Sequence, residues 1–315
     1  MRTIFISIKS FLNDDFDLKS YVWLFAFLLI CIGLNYRFDF EDEIIDANFR
    51  DNWYYSLVYW CFYSFAFYGV AIPILILREQ KYFFKAPKFW LITSSTILVC
   101  SFLVAEDIPY HFFISDKWTK HEIFFFKKAL TTCSTFLMSL LLIPALIKLN
   151  GFKEKFFYGI TLKNAKIRPY LIMLLIMLTP LTWASYQNEF QEYYPTLKFW
   201  RLNHPFGLNK TTVGISWEII YAFSFIGTEI LFRGAMVIGL SKVLGKNVIL
   251  PAVAVYAFLH FGKPMAETIG SVFGGFILSV IALEKKNLIG GVLIHMGVAV
   301  GMDLLSLAHR YHWMP

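Results

Sequence analysis

Long apolar runs separated by short charged connections set the character of this chain. Nine runs are predicted as helices, at about 19–36, 54–77, 89–105, 123–147, 170–186, 213–241, 247–261, 268–284 and 288–308. A helix needs about 20 predominantly apolar residues to cross a bilayer, and most of these runs approach or exceed that length. The expected fold class is therefore all-α, a polytopic transmembrane helical bundle of about eight or nine spans. Pro73, Pro144 and Pro180 fall within or late in spans, where neighbouring helices can re-satisfy the freed carbonyls, so kinks are expected there.

Composition agrees with that pattern. The chain is 57% hydrophobic and 19% aromatic but only 16% charged, against roughly 25% charged in soluble domains. The connections alternate in sign. Arg78, Lys81, Lys85 and Lys88 lie in the second, Lys148, Lys153, Lys155, Lys163, Lys166 and Arg168 in the fourth, and Lys242, Lys246, Lys285 and Lys286 in later ones. Asp39, Glu41, Asp42, Glu43, Asp46 and Asp51 crowd the first, and Glu106, Asp107, Asp116 and Glu122 the third. Because Lys and Arg are retained on the cytoplasmic side, the N-terminus is expected inside and the C-terminus outside. The formal net charge of +7 follows from that bias and gives no reason to expect a nucleic-acid partner.

Asp14, Asp15 and Asp17 precede the first apolar run and no small-residue cleavage site follows it, so that run reads as a retained helix. Cys31, Cys61, Cys100 and Cys133 stand singly in predicted spans, a pattern of packing residues rather than of disulfides or thiolate zinc sites. Residues 1–212 read as an aromatic-rich scaffold and substrate wall. Residues 213–315 read as a four-helix bundle in which the Gly270/Gly274 and Gly297/Gly301 pairs are expected to let helices approach closely.

Candidate chemistry is concentrated in that second part. Glu229 and Arg233 share a helix face four positions apart, and His260 and His295 lie in the next apolar runs. An ionisable side chain in hydrocarbon costs at least roughly 2.5–3.5 kcal/mol, so such groups pair or carry function. Counted from the inferred cytoplasmic ends, Glu229 and His260 lie about a dozen residues deep and His295 about seven or eight. At about 1.5 Å per residue those depths agree to within one or two turns. A carboxylate with two imidazoles can activate water, the carboxylate as base and ring N–H groups at the oxyanion. The same Glu229, His260 and His295 also match a zinc set with one open position, so a divalent metal and a metal-free site both stay open. Glu218, eleven residues before Glu229, falls on nearly the same face and reads as an interfacial carboxylate.

These residues resemble the CAAX protease and bacteriocin-processing family of intramembrane proteases, also called the abortive-infection family, over roughly residues 213–308. The family's Glu-Glu-x-x-x-Arg corresponds to Thr228-Glu229-Ile230-Leu231-Phe232-Arg233, its Phe-x-x-x-His to Tyr256-Ala257-Phe258-Leu259-His260, and its His-x-x-x-Asn to His295-Met296-Gly297-Val298-Ala299. Order and spacing hold, but Thr228 replaces the first Glu and Ala299 the Asn. The resemblance implies a C-terminal CAAX-protease-like core that cleaves a peptide bond of a lipidated, leader or small hydrophobic peptide at the membrane. It places Glu229 as base or metal-polarising group, His260 and His295 as oxyanion or metal partners, and Arg233 as the group that orients Glu229. Thr228, Tyr256 and Asp303 would support them from behind. Two other classes fit the same residues: an inactive relative serving as a membrane binding or immunity scaffold, and a proton-linked transporter. The substrate and the oligomeric state are not legible in the residues.

Overall fold

Each of the nine apolar runs is helical over most of its described residues. The computed structural model describes residues 2–50, 52–104, 110–151, 159 and 167–313. The charges expected at Asp51, Glu106, Asp107, Lys153, Lys155, Lys163 and Lys166 lie outside them. We name the main helices α1 (Arg2–Asp15), α2 (Leu18–Phe38), α3 (Tyr55–Leu77), α4 (Pro87–Val104), α5 (Lys120–Leu149), α6 (Arg168–Ala184), α7 (Lys210–Glu229), α8 (Ile249–Phe258), α9 (Met265–Lys285) and α10 (Ile289–Arg310).

Local sequence sets several of the helix starts. Asp17 caps α2 by accepting from the Ser20 N–H, Asn209 caps α7 at Thr212, and Thr119 with Glu122 forms a capping box at α5. Each supplies acceptors to N–H groups that have no partner within the helix.

Among the described residues six helical stretches, rather than eight or nine, are long and apolar enough to cross a membrane by length and composition. The difference has two sources. The apolar helices at Pro87–Leu103 and Arg168–Ala184 are shorter, and two of the expected runs merge into one stretch, Lys210–Phe258. Within it α7 widens into a π-helix over Ile230–Gly239, and the chain turns at Gly245, with φ +58°, before α8. With only ten residues, α8 is about 15 Å long, half of a roughly 30 Å hydrocarbon core.

Every residue of α8 is buried, so it is the axis of the bundle. A helix apolar on all sides is stable only when wrapped on all sides, and α2, α3, α9 and the π-helix supply that wrapping. The principal core runs without a break from Phe11, Tyr63 and Phe67 in the first part of the chain to Val253, Phe258 and Val280 in the second. Outward surfaces of the helices remain apolar, including Leu29 at 75% exposed and Ile219 at 55%, as hydrocarbon contact requires.

Glycines decide which helices touch. A Cβ at Gly290 would lie 2.1 Å from the Tyr170 ring and one at Gly297 2.4 Å from Leu174, so α10 presses directly onto α6. The expected close approach at Gly270 and Gly274 is not present, since a Cβ at either would meet nothing within 4 Å. Cys61 is exposed rather than buried, and all four cysteines are free.

Candidate functional site

The switch from α-helix to π-helix falls immediately after Glu229, so the Glu229/Arg233 pair straddles a change in helical geometry. Such π segments are frequent at functional sites because they redirect side chains within a helix. Both side chains are almost completely enclosed, at 0% and 1% exposed, with Arg233 Nη1 3.1 Å from Glu229 Oε1. The same carboxylate oxygen accepts from His295 Nδ1 at 3.0 Å. Glu229 Oε2 and the guanidinium nitrogens have no hydrogen-bond partner among the described residues.

Close approach of α10 makes this junction. A Cβ at Gly291 would stand 2.3 Å from Glu229 Oε2, so the carboxylate lies directly on the backbone of α10 one turn before His295. Gly291 was not singled out from the sequence. Its spacing of four from His295, which puts both on one helix face, is the signal that would have found it.

Tyr256 of α8 joins the remaining groups. Its hydroxyl is 3.3 Å from His295 Nε2. The Arg233 guanidinium carbon lies 4.0 Å from its ring centroid, a cation–π stack. The His260 ring lies 4.6 Å from the Tyr256 ring, and His260 Nδ1 donates to the Tyr256 carbonyl at 2.7 Å. A Cβ at Gly275 would come within 2.8 Å of the Tyr256 ring, so α9 contributes the space that the ring occupies. Phe225 closes the other side of His295, with ring centroids 4.4 Å apart.

His260 lies beyond the end of α8, in the turn that follows Phe258, and not within a span over 247–261 as the apolar run implied. The first part of the chain holds that turn in place. Asn35 Nδ2 donates to the Phe261 carbonyl at 3.2 Å, Tyr36 donates to the Lys263 carbonyl at 2.6 Å, and Thr268 donates to the His260 carbonyl. Glu41 packs beside Gly262, its Oε1 accepting from Tyr59 at 2.8 Å. Burial pushes the Glu41 carboxyl up to about 7. None of these braces stood out in the sequence, because each depends on a contact more than 200 residues distant or on the local path of the 259–264 turn.

Asp303 has partners away from this junction. Asp303 is fully buried and accepts from Thr196, from its N–H at 3.0 Å and from its hydroxyl at 2.8 Å. It also interacts electrostatically with Glu218, which makes Glu218 part of an interhelical carboxyl pair and not an isolated interfacial charge. With Trp217 donating to Thr196 at 2.9 Å and Ser306 to the Tyr194 carbonyl at 2.7 Å, this pair ties the 194–202 segment to α7 and α10. Thr228 is half-buried next to Glu229, and Ala299 is buried at 1% exposed and offers no polar group.

The residues do not fit a zinc ion held by Glu229, His260 and His295. Among the described residues no three His, Cys, Asp or Glu side chains converge as a ligand set. His295 directs one ring nitrogen to Glu229 and the other to Tyr256, so neither is turned to a shared ligand position.

No curated protein and no solved structure matches the chain. Residues 210–300, from the start of α7 to the middle of α10, match the family model described as Type II CAAX prenyl endopeptidase Rce1-like, and that stretch contains Glu229, Arg233, Tyr256, His260, Gly291 and His295.

Proposed function

We propose that the chain is an intramembrane endopeptidase that hydrolyses a peptide bond of a lipidated, leader or otherwise hydrophobic peptide held at the membrane. One observation carries the reading: a carboxylate, a guanidinium and an imidazole meet at 3.0–3.1 Å within otherwise apolar helices. In hydrocarbon such a junction is costly to maintain. It lies within the stretch that matches CAAX endopeptidases.

The base in this reading is the Glu229–His295 pair. Glu229 accepts the Nδ1 proton of His295, which leaves the Nε2 lone pair to take a proton from water. Arg233 holds the carboxylate and balances its charge. His260 completes the wall on the far side of Tyr256. Residues 213–315 act as the catalytic bundle and residues 1–212 as the scaffold that braces the His260 turn.

The test is reconstitution of the full chain in liposomes with fluorogenic lipidated and unlipidated peptides. Glu229→Gln, His260→Ala and His295→Ala should each abolish cleavage while the protein remains folded by size exclusion and thermal melt. Unchanged cleavage in all three would sink the enzyme reading. Peptide binding without turnover by the wild type would instead identify a binding scaffold, a reading favoured by Thr228 and Ala299 standing where the family motifs carry Glu and Asn.

A further inference from the structure

Peptide hydrolysis needs a hydrogen-bond donor for the carbonyl oxygen as it acquires negative charge, and the two imidazoles do not have one to give. Against the carboxylate oxygen of Glu229, His295 Nδ1 is the donor, so Nε2 of the neutral ring carries a lone pair. Against the Tyr256 carbonyl oxygen, His260 Nδ1 is likewise the donor, and its Nε2 is also an acceptor. Both rings are therefore held in tautomers suited to receiving protons. Arg233 lies against the face of the Tyr256 ring, at 4.0 Å, on the side of the carboxylate. Ala299 offers no polar atom.

The Tyr256 hydroxyl is a neutral donor that already faces His295. Tyr256 Oη stands 3.3 Å from His295 Nε2, at the long end of hydrogen-bond contact, so rotation about the Cζ–Oη bond releases it at little cost. Its ring is fixed by Arg233, His260, Phe232 and the gap at Gly275, which keeps the oxygen in place while the O–H turns. The cation against the ring strengthens the phenol as a donor.

We infer that Tyr256 is the oxyanion donor of this site, an assignment that rests on the hydrolase reading above. With substrate bound, the Tyr256 O–H turns from His295 Nε2 to the substrate carbonyl oxygen and uncovers the Nε2 lone pair for water. A water O–H bond breaks, its proton passes to Nε2, and its oxygen bonds to the carbonyl carbon. The C=O π pair moves onto the carbonyl oxygen, which accepts the Tyr256 hydrogen bond. When the C–N bond breaks, the oxyanion's pair re-forms the C=O bond, and the C–N pair goes to nitrogen, which takes the proton back from His295 Nε2 to leave as the amine. Tyr256 keeps its own proton throughout.

The experiment compares wild type, Tyr256→Phe and a variant carrying 3-fluorotyrosine at 256, all reconstituted as the full chain with one cleavable lipidated peptide. Losing a single oxyanion donor costs about 100- to 1,000-fold in kcat. Tyr256→Phe should therefore lose about that factor in kcat while KM and the melting temperature stay near wild type, and the fluorinated variant, which retains the O–H, should restore most of the kcat that Phe loses. A phosphinate peptide that mimics the tetrahedral species should lose affinity for Tyr256→Phe by a comparable factor, whereas the uncleaved peptide should not. A kcat for Tyr256→Phe within threefold of wild type would overturn the assignment and leave the hydrolase reading standing. Absence of turnover by the wild type would remove the reaction and the assignment together.

Discussion

Adding one methyl group at Gly291 should switch off this site without dismantling the bundle. An alanine Cβ there would lie 2.3 Å from Glu229 Oε2, about 1 Å closer than ordinary van der Waals contact. Neither side yields easily. The methyl is anchored to the backbone of α10, and Glu229 is fully enclosed with its other oxygen fixed by Arg233 at 3.1 Å and His295 at 3.0 Å. Relief must come from moving the carboxylate, the imidazole or α10 by about 1 Å. Overpacking of this kind costs typically 1–3 kcal/mol in stability, and a 1 Å misplacement of catalytic groups costs on the order of 100-fold in rate. Gly291→Ala should thus lose about two orders of magnitude in kcat for the lipidated peptide, with a modest fall in melting temperature in detergent. Gly274→Ala is the matched control, because its Cβ meets nothing within 4 Å, and it should match wild type in both measurements. Full activity of Gly291→Ala would show that the Glu229–Gly291 contact has no bearing on the reaction.

Three further outcomes are expected. Burial holds the Glu41 carboxyl at about 7, above its ordinary 4.5, so between those values the folded protein binds a proton that the unfolded chain has released. Stability should consequently fall by roughly 2–3 kcal/mol as pH rises from 4.5 through 7, and Glu41→Gln should flatten that decline in a pH series of thermal melts. Arg233→Ala leaves Glu229 buried and unpaired and should destabilise the protein by roughly 3–5 kcal/mol in denaturant titration, whereas Arg233→Met combined with Glu229→Leu should recover the fold without activity. Because the donor geometry does not suit a three-ligand metal, EDTA or 1,10-phenanthroline should leave hydrolysis within twofold of the untreated rate, and chelator inhibition reversed by added zinc would contradict the water-activation scheme.

Much of this molecule is written in local sequence. Apolar runs of spanning length dictate helices, since backbone N–H and C=O groups in hydrocarbon must be satisfied within their own segment. Glu229 and Arg233, four apart on one helix, were bound to meet, and the isolated His260 and His295 marked the helices that bear on them. Periodicity cannot report where a helix stops being α, or how deeply a neighbour presses upon it. The π-helix after Glu229, the shortness of α8 and the placement of His260 in a turn follow from tertiary contacts that override an apolar pattern equally compatible with a straight span. Gly291 and Tyr256 acquire their meaning only when α8 and α10 stand on either side of the Glu229 helix, at separations of 2.3 Å for a methyl at Gly291 and 3.3 Å for the Tyr256 hydroxyl. The same holds for Asp303, which shares a helix with His295 yet bonds to Thr196 and interacts with Glu218, because the rotation of α10 turns those two side chains toward different neighbours. Sequence alone determined the membrane bundle and nominated the polar residues. Tertiary packing decided which of them meet, because hydrogen bonds and ion pairs act over about 3 Å and the spacing of residues along a chain does not set distances between helices.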